Sequence, residues 1–131
     1  MAALILIIED DEASRDLVKY LLETAGYGAL AVADGGNGLR MALENDPDLV
    51  ICDLQMPVMD GYEVVAGLRG SPTWRRVPVI AVTAFSMAGD RGKALAAGFN
   101  EHLTKPITPE TFVGQIEAFL PASLLATQRV R

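Results

Sequence analysis

The stretch Leu4-Ile5-Leu6-Ile7-Ile8, followed at once by Glu9-Asp10-Asp11-Glu12, decides how the rest of the chain is read. Five consecutive apolar residues, three of them β-branched, describe a strand buried on both faces, as strands of parallel sheets are. After the acidic turn, Leu17, Val18, Leu21, Leu22 and Ala25 recur at helical spacing up to Gly26. The same alternation of short apolar run and amphipathic segment then repeats along the chain. Ala29 to Ala33 is a weaker strand, and Asp34-Gly35-Gly36-Asn37-Gly38 reads as a turn before a short helix around Leu39, Met41, Ala42 and Leu43. That helix stops before Pro47. Leu49-Val50-Ile51-Cys52 is a third strand, with Tyr62, Val64, Val65 and Leu68 marking the helix after it. Val77 to Val82 is a fourth strand, and Lys93 to Ala97 a helix ending at Gly98. Asn100 to Thr104 is less apolar and suits the edge of a sheet. Thr108 then caps a last helix with Pro109 at its first position, its apolar face being Phe112, Val113, Ile116, Phe119 and Leu120.

Five strands alternating with five helices predict an α/β fold built on an open five-stranded parallel sheet. At 131 residues the chain is one domain's worth, read here as residues 1–121 with a loose tail over 122–131. Seventeen acidic residues against 11 basic ones leave a net charge of -6, and the basic residues are scattered apart from Arg75-Arg76. That balance speaks against nucleic acid or an anionic membrane as a partner, since both demand clustered cations. The run Met1 to Ile8 is too short to span a bilayer and has no basic flank of a signal peptide. One cysteine and one histidine cannot build a disulfide or an ordinary structural zinc site. A cytoplasmic location is the expectation.

In open parallel sheets ligands bind beyond the carboxyl ends of the strands. Those ends carry Glu9-Asp10-Asp11-Glu12, then Asp53, then Thr83, then Lys105-Pro106. Converging carboxylates raise one another's pKa unless a counter-charge intervenes, and Mg²⁺ is the cation that takes one or two carboxylates with waters and phosphate oxygens. Lys105 can hold a further anionic oxygen and the Thr83 hydroxyl can bond another. Such a set is suited to a phosphoryl group attached to a carboxylate, and Asp53, alone at the end of a buried strand, is the best nucleophile. Asp11 and Glu12 read instead as an acidic helix start.

The chain resembles a response-regulator receiver domain of two-component signalling over residues 3 to 120. The residues that carry the likeness are Ile7-Ile8-Glu9-Asp10-Asp11, Asp53-Leu54-Gln55-Met56-Pro57-Val58-Met59-Asp60-Gly61, Val82-Thr83-Ala84 and Lys105-Pro106. They stand in the family's order and spacing. The resemblance implies a flavodoxin-like sheet of strand order 2-1-3-4-5. It implies that Asp53 accepts a phosphoryl group from a phosphohistidine on a histidine kinase or histidine phosphotransfer protein. Asp10, Asp53 and the Gln55 backbone carbonyl would ligate Mg²⁺, for which Mn²⁺ could substitute, and Glu9 would act through water. Thr83 and Lys105 would contact phosphoryl oxygens, and Pro106 resembles the family's cis-proline. At the first acidic position a glutamate stands in place of the commoner aspartate, one methylene longer.

The resemblance also implies a switch in which Thr83 communicates with the residue at His102, where the family often carries Tyr or Phe. The alternative for His102 is a surface histidine on an edge strand. Gln55 and Phe85 stand at positions that resemble those tuning dephosphorylation in the family, where Phe85 would cover the aspartyl-phosphate; the alternative is that Phe85 merely packs against the next helix. A downstream protein would meet the face from Met87 to Leu120, as a monomer or a phosphorylation-dependent dimer. The segment Thr83-Ala84-Phe85-Ser86-Met87-Ala88-Gly89-Asp90 resembles stand-alone cell-cycle regulators and the receiver modules of hybrid kinases. Beyond its own phosphorylation and slow dephosphorylation such a domain is no conventional enzyme. Two rivals remain: a phosphorylation-independent interaction module, and an aspartyl-phosphate phosphatase, which would need an aspartate where Gln55 stands. Cys52 reads as buried packing, and Trp74 as either a partner anchor or a lid over the core edge.

Overall fold

Ile5 and Ile7 point to one side of a central sheet and Leu6 and Ile8 to the other, and all four are buried. This double burial follows from the arrangement seen in a computed structural model, which describes residues 2–74, 76–84 and 86–126. The strands are β1 (Leu4–Ile8), β2 (Gly28–Val32), β3 (Leu49–Asp53), β4 (Val79–Thr83) and β5 (Glu101–Thr104). They alternate with helices α1 (Glu12–Thr24), α2 (Gly35–Asn45), α3 (Gly61–Arg69), α4 (Asp90–Ala97) and α5 (Pro109–Glu117). All strands are parallel, in the order β2-β1-β3-β4-β5. The expected α/β class and strand order are both present. The two strands with the weakest apolar signal, β2 and β5, are the two edges, where one flank has no neighbour to cover it.

Each face of the sheet has its own core. Ile5, Ile7, Leu49, Ile51, Ile80 and Val82 pack against α1 and α5 through Val18, Leu22, Phe112 and Ile116. Leu6, Ile8, Val50, Cys52 and Ala81 pack against α2, α3 and α4 through Ala42, Val64, Val65, Leu68 and Ala94. The period-two alternation of the strands therefore decides which helix each side chain meets.

Aspartates set the starts of three helices. Asp11 accepts from the Ser14 N–H at 2.9 Å and Asp34 from that of Asn37 at 2.8 Å. Asp60 and Glu63 form a reciprocal capping box. Thr108 occupies the N-cap of α5, with Pro109 in the first turn, but its side chain makes no capping hydrogen bond. Gly35 to Gly38, expected as a turn, is instead the first turn of α2. The reason is close approach. A Cβ on Gly38 would lie 2.5 Å from Ile8 Cδ1, so only glycine lets α2 settle onto β1.

One open reading is decided and one expectation changes. Trp74, in a 3-10 turn over Pro72–Trp74, is only 3% exposed and belongs to the second core, so it is a lid and offers no anchor to a partner. The segment 122–126, expected as loose tail, packs back on the sheet's amino-terminal edge. Leu124 O accepts from the Ala3 N–H at 2.9 Å, and buried Ala126 donates its N–H to the Tyr27 hydroxyl at 3.1 Å. That hydroxyl donates in turn to Glu117 at 2.5 Å. Residues 127–131 lie outside the described residues.

Arg69, at the end of α3, ties four segments together. Its guanidinium donates to the carbonyls of Trp74, Gly98 (3.0 Å) and Val77 (2.8 Å), and to Asn100 Oδ1 (2.8 Å). Asn100 Oδ1 also accepts the Val79 N–H at 2.9 Å. β4 starts at Val79 and β5 at Glu101, later than the apolar pattern implied, and the Val77 carbonyl and Asn100 side chain just before them are both held by Arg69. Arg69→Ala leaves several half-buried carbonyls without a donor and is expected to cost about 2–4 kcal/mol, measurable by urea unfolding.

Candidate functional site

The parallel sheet delivers four polar side chains to one edge because β1, β3, β4 and β5 all end there. Glu9 follows β1, Asp53 closes β3, Thr83 closes β4 and Lys105 follows β5. Glu9 and Asp53 are each 5% exposed and Thr83 is 2% exposed, whereas Asp10 faces solvent. Glu9, Asp10 and Asp53 each present a carboxylate oxygen within 4.8 Å of the others. The Lys105 ammonium lies 2.9 Å from Glu9 Oε1 and 3.5 Å from Asp53 Oδ2. Asp53 Oδ1 accepts the Gln55 N–H at 3.1 Å, and the Lys105–Pro106 peptide is cis, as expected.

The backbone beneath Asp53 is tightly held. The Leu54 N–H donates to Val82 O at 2.9 Å and the Gly61 N–H to Leu54 O at 3.0 Å. A Cβ on Gly61 would stand 2.6 Å from the Asp53 carbonyl oxygen, so glycine is needed there for α3 to begin against the end of β3. Arg15, on α1, donates to the Glu9 carbonyl at 3.0 Å and so braces the acidic turn.

Two buried carboxylates side by side repel. Burial, with Glu9 alongside, pushes the Asp53 carboxyl from its ordinary 3.8 up to about 7, against the downward pull of the Gln55 N–H and Lys105. Burial works to lower the Lys105 ammonium, but its hydrogen bond to Glu9 and the charges of Asp53 and Glu9 outweigh it and hold it above its usual range. Burial, and then the Asp53 charge, push the Cys52 thiol far up, so it stays protonated inside the core. The set of three carboxylates, all hard oxygen donors, fits a divalent cation of the Mg²⁺ type.

Most of the sequence-predicted residues meet here: Glu9, Asp10, Asp53, Gln55, Thr83 and Lys105. Asp11 is the α1 cap, as read. His102 does not sit on the surface. It is buried at 8% exposure, and Nε2 has no hydrogen-bond partner among the described residues. Its register partner is Ala81, two residues before Thr83, so His102 and Thr83 share a face of the sheet. Phe85 lies outside the described residues. The sequence reading missed Arg15 and the Lys93 ammonium, which stands 4.9 Å from the centre of the Tyr62 ring. Both bear on a neighbouring segment through the fold. A cation one turn into a helix after an acidic turn was the only available sign of Arg15.

A doubly covered parallel sheet with an acidic triad, a buried hydroxyl and a lysine at its carboxyl edge is the layout of the receivers of two-component signalling. The chain matches the family model described as response regulator receiver domain over residues 5–117, and it belongs to that family. It is similar to the polar-differentiation response regulator DivK of Brucella ovis, 36% identical over 120 residues, covering 92% of this chain and 98% of that one. Among solved structures it is similar to the chemotaxis protein CheY4 of Vibrio cholerae (30% identical, TM-score 0.86, covering 92% of this chain and 100% of that one). It is also similar to the receiver domain of the sensor histidine kinase PA1611 of Pseudomonas aeruginosa (33% identical, TM-score 0.82, covering 91% and 98%). That structure is described with a magnesium ion coordinated in its active-site cleft. No helix among the described residues is long and apolar enough to cross a membrane.

Without divalent cations the Asp53 carboxyl is expected to titrate near 7, read from its side-chain ¹³C shift. Added Mg²⁺ moves that titration to lower pH, because cation and proton compete for the same oxygens. The sign for stability follows from a folded pKa above the unfolded one. The folded state holds the proton more tightly, so Asp53 favours folding at low pH and that contribution is lost as pH rises from about 4 to about 7. Metal-free Asp53→Asn at pH 8 is accordingly expected to be about 1–2 kcal/mol more stable than the parent in urea unfolding.

Proposed function

We propose that this receiver domain takes a phosphoryl group from a phosphohistidine donor onto Asp53 and uses the modified state to change the surface it offers to a partner. The observation that carries the reading is the buried Asp53 carboxylate flanked by Glu9, Asp10 and the Lys105 ammonium at the end of the central strand. In the transfer an Asp53 carboxylate oxygen bonds to phosphorus as the phosphorus–nitrogen bond of the donor breaks, the electron pair leaving with the imidazole nitrogen. Lys105 and Thr83 receive the phosphoryl oxygens. Asp10, Asp53 and the Gln55 carbonyl hold Mg²⁺ or Mn²⁺, with Glu9 acting through water. A cation so held would offset the negative charge that gathers at Asp53.

The donor is a histidine kinase or a histidine phosphotransfer protein, the class of partner with which receiver domains work, and the place of work is the cytoplasm. The downstream protein meets the face from Met87 to Leu120, where Met87 is already exposed. Thr83 and His102, on one face of the sheet, link the site to that surface. Rotation of the buried imidazole would let its unbonded Nε2 find a partner. Gln55 stands two residues after the acceptor, where a phosphatase of the aspartyl-phosphate type needs an acid. An amide cannot donate that proton, which weighs against turnover of phosphate esters.

Acetyl phosphate with Mg²⁺ is expected to give one phosphoryl adduct by intact mass, abolished in Asp53→Asn and formed about tenfold or more slowly in Lys105→Ala. A folded protein that gives no adduct would favour the phosphorylation-independent module. Sustained turnover of a phosphate ester would revive the phosphatase.

A further inference from the structure

Lys93, on α4, takes no part in the chemistry assigned to the carboxyl edge, yet it stands beside it. A cavity of about 260 Å³ lies between the strand ends and the first turns of α3 and α4. Its walls include Gln55 and Thr83, which flank Asp53, together with Tyr62 of α3 and Lys93 of α4. The Lys93 ammonium lies over the Tyr62 ring, 4.9 Å from its centre, and the same ring meets Phe99 edge-on at 6.0 Å. Lys93 forms no ion pair among the described residues. Asp60 and Asp90 also line the cavity, and burial, then the charges of Asp90 and Asp60, raise the Tyr62 hydroxyl above its ordinary range. The contact matters because little else holds α4 down. Ala94 is the buried residue of that helix, its start at Gly89 has no side-chain cap, and its Arg91–Glu101 ion pair at 2.8 Å is exposed.

We infer that Lys93 on Tyr62 is the latch of a chamber beside the phosphoacceptor, and that this latch sets how long a phosphoryl group stays on Asp53. The inference rests on the phosphoacceptor reading of Asp53 and adds two positioning residues to it. A cavity of this size with amide, hydroxyl and carboxylate walls has room for several waters, each needing about 30 Å³. Hydrolysis consumes one water. Its oxygen bonds to phosphorus, the bond from phosphorus to the Asp53 oxygen breaks, and that electron pair returns to the carboxylate. The proton of the water leaves with inorganic phosphate. While α4 is pinned to α3, the polar walls restrain the waters that the chamber holds. With the ammonium off the ring, α4 can draw back and bulk water gains access to the phosphorus.

The test follows the aspartyl-phosphate on the full chain. The adduct is made with acetyl phosphate and Mg²⁺, the donor is removed, and the loss of the adduct is timed by intact mass. Lys93→Met keeps the length and loses the charge, and is expected to shorten the half-life about two- to fivefold, the size of one exposed cation–π contact. Tyr62→Leu should shorten it at least as much. Lys93→Arg and Tyr62→Phe preserve the cation and the ring and should keep the half-life of the parent, a rescue that general loosening of the fold would not give. In the double variant Lys93→Met, Tyr62→Leu the half-life should be no shorter than in Tyr62→Leu alone, because the two groups act as one latch. Multiplied effects overturn the inference, as does an unchanged half-life in Lys93→Met or a shortened one in Lys93→Arg. Amide hydrogen exchange on the unmodified protein reads the latch by itself. Exchange at Ala94 and Leu95 should quicken about two- to fivefold in Lys93→Met and stay at the parent's rate in Lys93→Arg. Equal exchange in the parent and Lys93→Met refutes the latch. A parent that takes no adduct refutes the acceptor reading instead, and with it the effect on lifetime, while hydrogen exchange still decides the latch.

Discussion

The ammonium of Lys105 between the carboxylates of Glu9 and Asp53 is the interaction on which the rest of the site depends. Two carboxylates with almost no exposure would not both remain charged without it, since an unpaired buried charge costs several kcal/mol. The lysine supplies the compensation from the far side of the sheet, across β3 and β4. That reach is possible only because all the strands run the same way and end at one edge. The cost of the arrangement is visible in the raised pKa of Asp53, which records a carboxylate still short of positive charge. A divalent cation is the kind of partner that this imbalance favours, since it adds positive charge beside three carboxylates.

Around this site the two cores act as a rigid mount. The Asp53 backbone is held by β4 on one side and by the start of α3 on the other, where Gly61 lies against its carbonyl. Glu9 is held by its own turn and by Arg15. The elements proposed to face a partner are held unequally. α4 is the shortest helix and starts at Gly89 without a side-chain cap, and β5 is an edge strand. α5, on the same side, is by contrast fixed in the first core through Phe112, Val113 and Ile116.

Much of the site was legible because chemistry-bearing residues directly follow apolar runs. Glu9-Asp10 after Ile8, Asp53 after Cys52, Thr83 after Val82 and Lys105 after the last strand could be placed on one edge as soon as the sheet was read as parallel. The misreadings share a different cause. Gly35 to Gly38 looked like a turn, yet it is helical because Ile8 and α3 crowd it from outside the segment. Trp74 and His102 each left a buried and an exposed reading open, and only neighbours distant in sequence decide that both are buried. Residues 122–126 looked loose, and two hydrogen bonds to Ala3 and Tyr27 hold them.

The order of residue types along the chain was enough to determine the alternating α/β layout, the buried central strands and the edge to which Glu9, Asp10, Asp53, Thr83 and Lys105 belong, because periodicity and strand direction are local properties. Only the tertiary structure decided that the lysine lies between two carboxylates, how Arg69 joins four segments and which polar residues lie inside. Those outcomes rest on distances between residues tens of positions apart, and a separation of 2.9 against 3.5 Å is written in no stretch of sequence.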